Sequence, residues 1–311
     1  MARKGRAGSS PAPGTAHAMP EPVASTDPGS TRLAPTPSGF LHAGNALNFL
    51  LTDRLARHTG ATLRLRIDDL DAERERQTYV EDIFEGLAWL GIRPDVGPRD
   101  AEDQRLHGSQ RLRIPRYLEL AGALRAAGRV YACGCSRQQR TTLMAAGRTT
   151  CGCRTAGLDL DDGSLAWRVR IPEDEEVTVH GLCGPPRTER PFAWLPDPVL
   201  LQRSQDGRPR RPAYQLASLA DDVDHGITFI VRGEDLFPST LVQLHLARVL
   251  GLSAFATVRF LHHPLLTDDS GAKLSKSEGA TSLRAMRLAG HGPQTLIAQA
   301  HTMLRRLAGV P

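Results

Sequence analysis

TRLAPTPSGFLHAGN, residues 31–45, is the stretch of sequence that decides the fold. It opens with a short apolar strand, TRLAP, passes through the turn-forming PTPSG, and enters a helix. Gly39 and Gly44 let a ligand approach the backbone closely, and the helix N-terminus offers unpaired N–H groups and positive potential to a phosphate. His42, in the first helical turn, can reach a phosphate oxygen. Alone, this pattern also fits a purely structural turn, so a second motif is needed to decide its role.

The segments that follow alternate between helix and strand. Leucines at helical spacing extend the first helix, and residues 58–60 end it. ATLRLRI, residues 61–67, alternates as a strand, and DDLDAE after it supplies acidic residues for the N-terminus of a second helix, which stops at Gly91. Strand, helix, strand and helix in this order predict a parallel sheet with right-handed crossovers.

Composition and pattern divide the chain into five parts. Residues 1–30 are rich in Ala, Gly, Pro, Ser and Thr, so they bury little apolar surface, and we expect a disordered leader. The other parts are the first half of a Rossmann-like fold at 31–127, an insertion at 128–213, the second half at 214–265, and a loop with a short helical tail at 266–311.

The composition excludes a membrane-spanning protein. The 311 residues carry a net charge of +5 and are 40% hydrophobic. No stretch approaches the roughly 18 consecutive apolar residues that cross a bilayer, and the N-terminus lacks the apolar segment of a secretory signal. We expect a cytoplasmic protein with no membrane partner, and we expect a monomer. The mild positive charge is compatible with an anionic partner but does not establish one.

A second phosphate-binding motif, KLSKS, lies at 273–277, about 230 residues after the first. Lys273 and Lys276, spaced by three residues, can close over a triphosphate and offset the charge that develops on a departing pyrophosphate. A short Lys/Ser loop by itself is most often a solvated turn. The two motifs in this order favour a nucleotide site.

Five ordered segments together resemble the class I aminoacyl-tRNA synthetases, specifically the catalytic half of the glutamyl/glutaminyl branch, over about residues 31–280. They are TRLAPTPSGFLHAGN, RIDDLDAER, DPVLLQR, YQLASLADDVDHGITFIVRGEDL and KLSKS. The resemblance implies a doubly wound parallel sheet, an ATP-dependent activation of an amino acid, and a requirement for Mg²⁺. It places an ATP site on residues Gly39, His42, Gly44, Asn45, Lys273, Ser275 and Lys276, among which His42, Gly44, Lys273 and Lys276 are expected to be catalytic.

The same resemblance implies which residues hold the amino acid. Arg32 and Arg232 are the candidates for the substrate carboxylates, because a guanidinium offers a fork of donors. Thr36 and Tyr214 line the pocket. Asp68 would face the α-ammonium group; glutamyl enzymes usually carry Glu at this position and glutaminyl enzymes carry Asp, so the choice of amino acid stays open.

A cysteine cluster in the insertion has the pattern C-G-C-x15-C-G-C, formed by Cys133, Cys135, Cys151 and Cys153. Four thiolates can satisfy a tetrahedral Zn²⁺ and leave no open position, which predicts a structural site; four free or redox-active thiols are the alternative. Cys183 stands apart, and we expect it to be a small buried residue.

This cluster resembles the zinc-bearing insertion of bacterial glutamyl-queuosine tRNA(Asp) synthetases, in which a C-x-C pair is followed by a Tyr and a C-R. Thr149 stands where those relatives carry the Tyr, and Cys151 would replace it as a ligand. The resemblance implies that glutamate is activated with ATP and transferred to queuosine at the first anticodon position of tRNA(Asp).

The length of the chain after KLSKS bears on whether the resemblance is to an ordinary glutamyl enzyme or to a glutamyl-queuosine enzyme. Only 34 residues follow Ser277, which is too few for a separate anticodon-binding domain of about 100 residues. This tail is expected to be weakly helical and either contacts RNA phosphates through its arginines or packs on the catalytic domain. Two alternatives remain open: a glutamyl-adenylate-forming ligase that serves a small amine, a thiol or a carrier protein, and a non-catalytic RNA-binding relative.

Overall fold

The computed structural model describes residues 28–204, 209–265 and 282–307. Within these ranges the helices are α1 (Ala43–Thr59), α2 (Gln77–Trp89), α3 (Ala101–Asp103), α4 (Ile114–Ala126), α5 (Arg137–Ala145), α6 (Pro191–Trp194), α7 (Tyr214–Asp224), α8 (Phe237–Val249), α9 (Ser253–Ala256), α10 (Leu283–Leu288) and α11 (Gln294–Leu307). The strands are β1 (Ser30–Leu33), β2 (Thr62–Leu65), β3 (Val130–Cys133), β4 (Ala166–Val169), β5 (Val177–Gly181), β6 (Arg187–Glu189), β7 (Val199–Leu201), β8 (Phe229–Gly233) and β9 (Arg259–His263).

A parallel sheet forms the centre of the fold, as the sequence predicts. β1 pairs in parallel with β2, and β8 pairs in parallel with β9. The two pairs lie side by side, because the backbone N–H of Thr228 donates to the carbonyl of Ser30 at 2.8 Å and the Thr31 hydroxyl donates to that of Phe229 at 2.8 Å. Two halves distant in sequence therefore place the carboxyl ends of β1 and β8 next to each other.

The predicted insertion contributes to two sheets. β3, β4 and β7 form a separate antiparallel sheet. β5, however, pairs in parallel with β9, and β6 adds to β5 in antiparallel orientation. Part of the stretch 128–213 thus extends the central sheet; the predicted domain boundaries remain predictions.

The first helix is well determined by its sequence. Its leucines face the core, where Leu47 and Leu51 are fully buried, and Gly60 ends the helix with a φ of 72°. A left-handed conformation of this kind is typical of glycine at a helix C-terminus.

One local prediction is wrong: the acidic segment 68–73 does not begin a helix. α2 starts only at Gln77 and carries no acidic residue in its first turn. Asp69 instead accepts hydrogen bonds from the backbone N–H of Gln110 at 2.8 Å and from the Gln104 side chain at 3.0 Å. Contacts with residues far along the chain outweigh the local attraction of a carboxylate for a helix N-terminus.

The helical tail, α10 and α11, packs on the first half of the fold. Leu283, Leu296 and Ala300 are buried in the same core as α1 and α2. Arg287 pairs with Asp82 at 2.6 Å and with Glu85 at 2.8 Å, so its charge is already neutralised within the fold.

Most of the predicted leader cannot be compared with the structure. Residues 1–27 lie outside the described residues, whereas Ser30, the last residue of the leader, opens β1. Among the helices that the structure describes, none is both long and apolar enough to cross a membrane.

Candidate active site

A cavity of about 520 Å³ opens at the carboxyl ends of β1 and β8. Ligands of open parallel sheets bind outside the carboxyl ends of the strands, at the point where the connections after two neighbouring strands run to opposite faces of the sheet. Eight residues singled out in the sequence line the cavity: Arg32, Thr36, Gly39, His42, Gly44, Asn45, Tyr214 and Arg232. Arg32 and Arg232, 200 positions apart in the sequence, share the cavity because β1 and β8 are neighbours.

His42 caps the N-terminus of α1 at the edge of this cavity. Its Nδ1 accepts a hydrogen bond from the backbone N–H of Gly44 at 3.1 Å, and its own backbone N–H donates to the Asn45 side chain at 3.0 Å. A ring that accepts at Nδ1 and is neutral carries its proton on Nε2. The arrangement therefore presents an N–H donor beside a helix N-terminus, which suits a phosphate.

Gly44 leaves room for the His42 ring in this position. A Cβ at position 44 would lie 3.0 Å from Cε1 and 3.1 Å from Nδ1 of His42. A side chain there would force the imidazole to shift by a few tenths of an ångström. The glycine two positions after the histidine thus has a steric reason.

Arg232 is a buried cation, and two of its guanidinium nitrogens have hydrogen-bond donors that no described residue accepts. It is 1% exposed, its Nη1 donates to the Oε1 of Gln243 at 3.0 Å, and its guanidinium carbon lies 5.2 Å from the centre of the Phe260 ring. Its Nε and Nη2 are buried, and neither has a hydrogen-bond partner among the residues that the structure describes. Burial lowers the pKa of Arg232 to about 10, so the side chain is still charged at neutral pH. Unpartnered buried donors on a cation are costly unless an anion binds them, so this wall of the cavity fits a carboxylate.

Arg32 forms a buried ion pair with Asp222. Its Nε donates to Asp222 Oδ1 at 3.0 Å, and the same oxygen accepts from Nη1 of Arg66 at 2.7 Å. Burial alone would raise the pKa of Asp222, but the positive charges of Arg32, Arg66 and Arg232 more than offset it and lower the pKa. Asp222 and Arg66 were not identified from the sequence, because nothing in the local pattern of LADDV or RLRI indicates which residues the fold brings together.

Asp68 does not line the cavity. Its two carboxylate oxygens accept from Nε and Nη2 of Arg66 at 2.7 and 3.2 Å. Burial raises the pKa of Asp68, and the charge of Arg66 opposes that effect. The expected contact of Asp68 with an α-ammonium group therefore remains a prediction from the resemblance.

The remaining predicted ATP-binding residues, Lys273, Ser275 and Lys276, lie outside the described residues. Their roles stay a prediction from the sequence.

The four clustered cysteines converge as the zinc prediction requires. Their Sγ atoms all lie within 4.8 Å of one another, and the pairs Cys133–Cys151 and Cys135–Cys153 are each 3.7 Å apart. A tetrahedral Zn²⁺ with bonds of about 2.3 Å to sulfur separates its ligands by about 3.8 Å, so the four thiols fit the ion. Burial opposes ionisation of Cys151, yet hydrogen bonds with the thiols of Cys133 and Cys135 bring its pKa down to about 7.

Cys183 is exposed and does not belong to this cluster. The expectation that it is a buried small residue is wrong. Cys183 lies two residues after the end of β5, at the protein surface.

Comparison with known proteins assigns the fold to a family. Residues 30–155 and 194–308 match the model of the family described as tRNA synthetases class I (E and Q), catalytic domain. The chain belongs to this family. The match leaves residues 156–193 of this class I catalytic domain unassigned, and β4, β5 and β6 lie there. The predicted α/β fold of the class I synthetases is thereby confirmed.

Curated relatives of this synthetase domain are glutamate–tRNA ligases. Glutamate–tRNA ligase 1 of Cereibacter sphaeroides is 36% identical over 280 residues, which make up 86% of this chain and 59% of that protein. Glutamate–tRNA ligase 2 of Methylobacterium radiotolerans is 39% identical over 277 residues, 84% of this chain and 57% of that protein. The chain thus spans less than two thirds of the length of these relatives.

A solved structure shows the same fold. The crystal structure of a glutamate tRNA ligase from Elizabethkingia meningosepticum, in complex with its amino acid, matches with a TM-score of 0.63 and 23% identity. The match covers 85% of this chain and 53% of that chain. At this level of identity the likeness is one of fold.

Proposed function

We propose that the chain activates glutamate with ATP to form glutamyl-adenylate. The observation that carries this proposal is the pair of unpartnered guanidinium donors on Arg232, which share one cavity with the His42-capped helix N-terminus. The first feature fits a carboxylate and the second a phosphate. A cavity that holds both groups side by side has what the condensation of an amino acid with ATP needs.

The reaction follows from this placement. An oxygen of the substrate α-carboxylate attacks the α-phosphorus of ATP, a new P–O bond forms, and the bond to the bridging oxygen breaks to release pyrophosphate with its Mg²⁺. His42 Nε2–H and the α1 N-terminus stabilise negative charge on the phosphates, and Lys273 and Lys276 are assigned to the departing pyrophosphate. Arg232 and Arg32 hold the carboxylates of glutamate in place.

The basic residues of the whole chain support the role of the KLSKS lysines. Lysine and arginine together number 39, but only Lys4, Lys273 and Lys276 are lysines. A chain that uses arginine almost everywhere keeps lysine at these two positions. A compact, flexible ammonium group differs from a planar guanidinium fork in the way it follows a moving phosphate.

Substitution of Arg232 tests the amino-acid half of the proposal. Arg232→Lys keeps the positive charge and removes the fork, so the KM for glutamate in ATP–pyrophosphate exchange should rise about 10- to 100-fold with the KM for ATP nearly unchanged. Arg105→Gln is the control, because Arg105 is an exposed residue whose paired Glu102 oxygen lies 3.8 Å away. A variant that changes both constants equally would contradict the assignment of Arg232 to the carboxylate.

We further propose that the acceptor of the activated glutamate is queuosine at the first anticodon position of tRNA(Asp). The four-cysteine cluster supports this choice, because its C-x-C pairs and the Cys153-Arg154 pair resemble the zinc-bearing insertion of the glutamyl-queuosine enzymes. Zn²⁺ held there would stabilise the insertion without taking part in the chemistry.

We also propose that the protein acts in the cytoplasm, where charged and modified tRNAs are used.

Transfer of labelled glutamate distinguishes the acceptors. With ATP and zinc-loaded protein, tRNA(Asp) that contains queuosine should become labelled on its anticodon nucleotide, whereas tRNA(Asp) without queuosine should not. Label on the 3′ end of tRNA(Glu) would indicate ordinary aminoacylation instead. Exchange activity without transfer to any tRNA would favour a non-RNA acceptor, and ATP binding without exchange would favour a non-catalytic relative.

A further inference from the structure

His263, the last residue of β9, carries an unsatisfied acceptor in the wall of the cavity. The residue is 4% exposed and lines the cavity. Its Nδ1 lies 2.9 Å from the carbonyl oxygen of Pro264, and since a carbonyl can only accept, Nδ1 carries the proton. The lone pair of the neutral ring is therefore on Nε2, which is buried and has no hydrogen-bond partner within the described parts of the chain.

The ring is neutral under ordinary conditions. Burial lowers the pKa of His263, and this effect outweighs the Pro264 carbonyl and the nearby carboxylates of Asp235 and Glu234, which act in the opposite direction. A neutral imidazole with Nδ1 protonated offers one buried acceptor and no second donor. A ligand that satisfies it must bring an N–H or O–H group.

Three neighbours line the cavity together with His263: Gly233, Asp235 and Leu265. Gly233 is the register partner of His263 on β8, and a Cβ there would lie 2.6 Å from Asp235 Oδ1 and 2.9 Å from Leu265 Cδ2. The side chains of Asp235 and Leu265 therefore cover the backbone of Gly233, and His263 belongs to the same part of the cavity wall.

The strand pleat directs the side chains of Arg232 and His263 differently. Arg232 pairs in register with His262, and Gly233 pairs with His263. Because successive side chains of a strand point to opposite faces, Arg232 and His263 reach the cavity from opposite faces of the sheet. The carboxylates of glutamate are assigned to Arg232, and phosphate oxygens are acceptors that the lone pair of His263 repels, which leaves the nucleoside donors as the partners that suit this atom.

We propose that Nε2 of His263 accepts a hydrogen bond from the nucleoside half of ATP. This inference rests on the proposed ATP-dependent function. The donors of that half are the 6-amino group of adenine and the ribose hydroxyls. His263 is thus a specificity-determining residue for the nucleotide, and it selects a ligand with a donor at the position that Nε2 faces.

Two substitutions separate the two nitrogens of the ring. In His263→Asn the amide can still donate to the Pro264 carbonyl, but no atom reaches the place of Nε2. In His263→Gln the longer side chain offers an oxygen acceptor near that place. Thermal unfolding of both variants establishes that they are folded, so one interpretable variant suffices if the other fails.

Binding of ATP and three analogues is measured by calorimetry, without glutamate. The analogues are purine riboside triphosphate, which lacks the 6-amino group, 2′-deoxy-ATP and 3′-deoxy-ATP. The wild type should bind one analogue about tenfold more weakly than ATP, and this analogue identifies the donor. His263→Asn should bind ATP about tenfold more weakly and lose the discrimination, whereas His263→Gln should stay within about threefold of the wild type.

Other results overturn the inference. A wild type that binds all three analogues as well as ATP, or a His263→Asn variant that keeps the full discrimination, shows that Nε2 does not contact the nucleoside. Failure to bind ATP overturns both this inference and the proposed function. Discrimination at His263 without glutamate-dependent exchange leaves the inference standing and overturns the proposed function alone.

Discussion

Arg66 holds both carboxylate oxygens of Asp68, at 2.7 and 3.2 Å, and with its third nitrogen donates to Asp222 at 2.7 Å. Asp222 in turn holds Arg32, which lines the cavity. The cavity wall is therefore connected to a row of buried charges that fixes the direction of the Arg32 side chain. A preorganised cation of this kind binds a carboxylate without first having to be ordered.

Removal of the charge on Asp222 should destabilise the protein. Asp222→Asn conserves volume but leaves Arg32 and Arg66 without their shared carboxylate, and the loss of one partner of a buried ion pair costs about 3–5 kcal/mol in the free energy of unfolding. Urea unfolding at pH 7 measures it. Asp224→Asn is the control, since Asp224 is partly exposed and its pairs with Arg113 and Arg116 contribute about 1 kcal/mol or less.

The effect of Asp222→Asn should depend on pH with a defined sign. The pKa of Asp222 is lowered in the folded state, so its carboxylate stabilises the fold above the unfolded value of about 3.9. That contribution is lost as the pH falls through the folded-state pKa. The difference between wild type and variant should be full at pH 7 and shrink below about pH 4. A difference that stays constant across this range would show that the charge is not its source.

Gly44→Ala should weaken ATP binding while leaving the fold intact. The added methyl group would lie 3.0 Å from the His42 ring, so the ring must shift by a few tenths of an ångström, and its hydrogen bonds at the helix N-terminus are disturbed. We expect about tenfold weaker binding of ATP, because the cap and a phosphate donor are disturbed together. Gly122→Ala in α4 is the matched control, since a Cβ there meets nothing within 4 Å. It should leave ATP binding unchanged and stabilise the helix by about 0.5–1 kcal/mol.

The cysteine cluster should bind one zinc ion that stabilises the protein. Metal analysis of the purified protein should find stoichiometric zinc, and Cys153→Ser should lose it together with several degrees of thermal stability. Cys183→Ser should retain both, because Cys183 is exposed and outside the cluster. A metal-free protein with unchanged thermal stability would contradict the site.

The scarcity of lysine allows a direct test of the KLSKS motif. Periodate-oxidised ATP reacts with amines near the nucleotide, and beyond the N-terminal amine the chain offers only Lys4, Lys273 and Lys276. We expect labelling at Lys273 or Lys276 that ATP with Mg²⁺ prevents, read by peptide mass spectrometry. Lys4 is the internal control. Equal protection of all three lysines, or of none, would argue against a phosphate-binding role.

Much of the fold follows from local patterns in the sequence. The spacing of leucines in α1, the alternation in β2 and the glycines that end α1 and α2 are determined by neighbours within a few residues, so the order of these strands and helices could be predicted. The lining of the cavity by Arg32, His42 and Arg232 could be anticipated only through the resemblance to a family, because the three residues lie on separate elements.

The charges behind the cavity could not be predicted. Arg66 and Asp222 are 156 positions apart; Arg66 follows β2 and Asp222 lies on α7, so only the tertiary structure brings them together. The acidic pattern of 68–73 predicts a helix start, but Asp69 instead accepts hydrogen bonds from Gln104 and Gln110, which lie more than 30 positions away in the sequence. Buried polar contacts of this kind depend on tertiary structure and leave no periodic signal.

Amino-acid-dependent ATP–pyrophosphate exchange tests the central claim most directly. The zinc-loaded protein is incubated with ATP, labelled pyrophosphate and, in separate reactions, glutamate, glutamine and aspartate. The cavity with Arg232 and the helix N-terminus predicts exchange with glutamate well above that with the other two amino acids. No exchange with glutamate, or a faster exchange with glutamine, would contradict it.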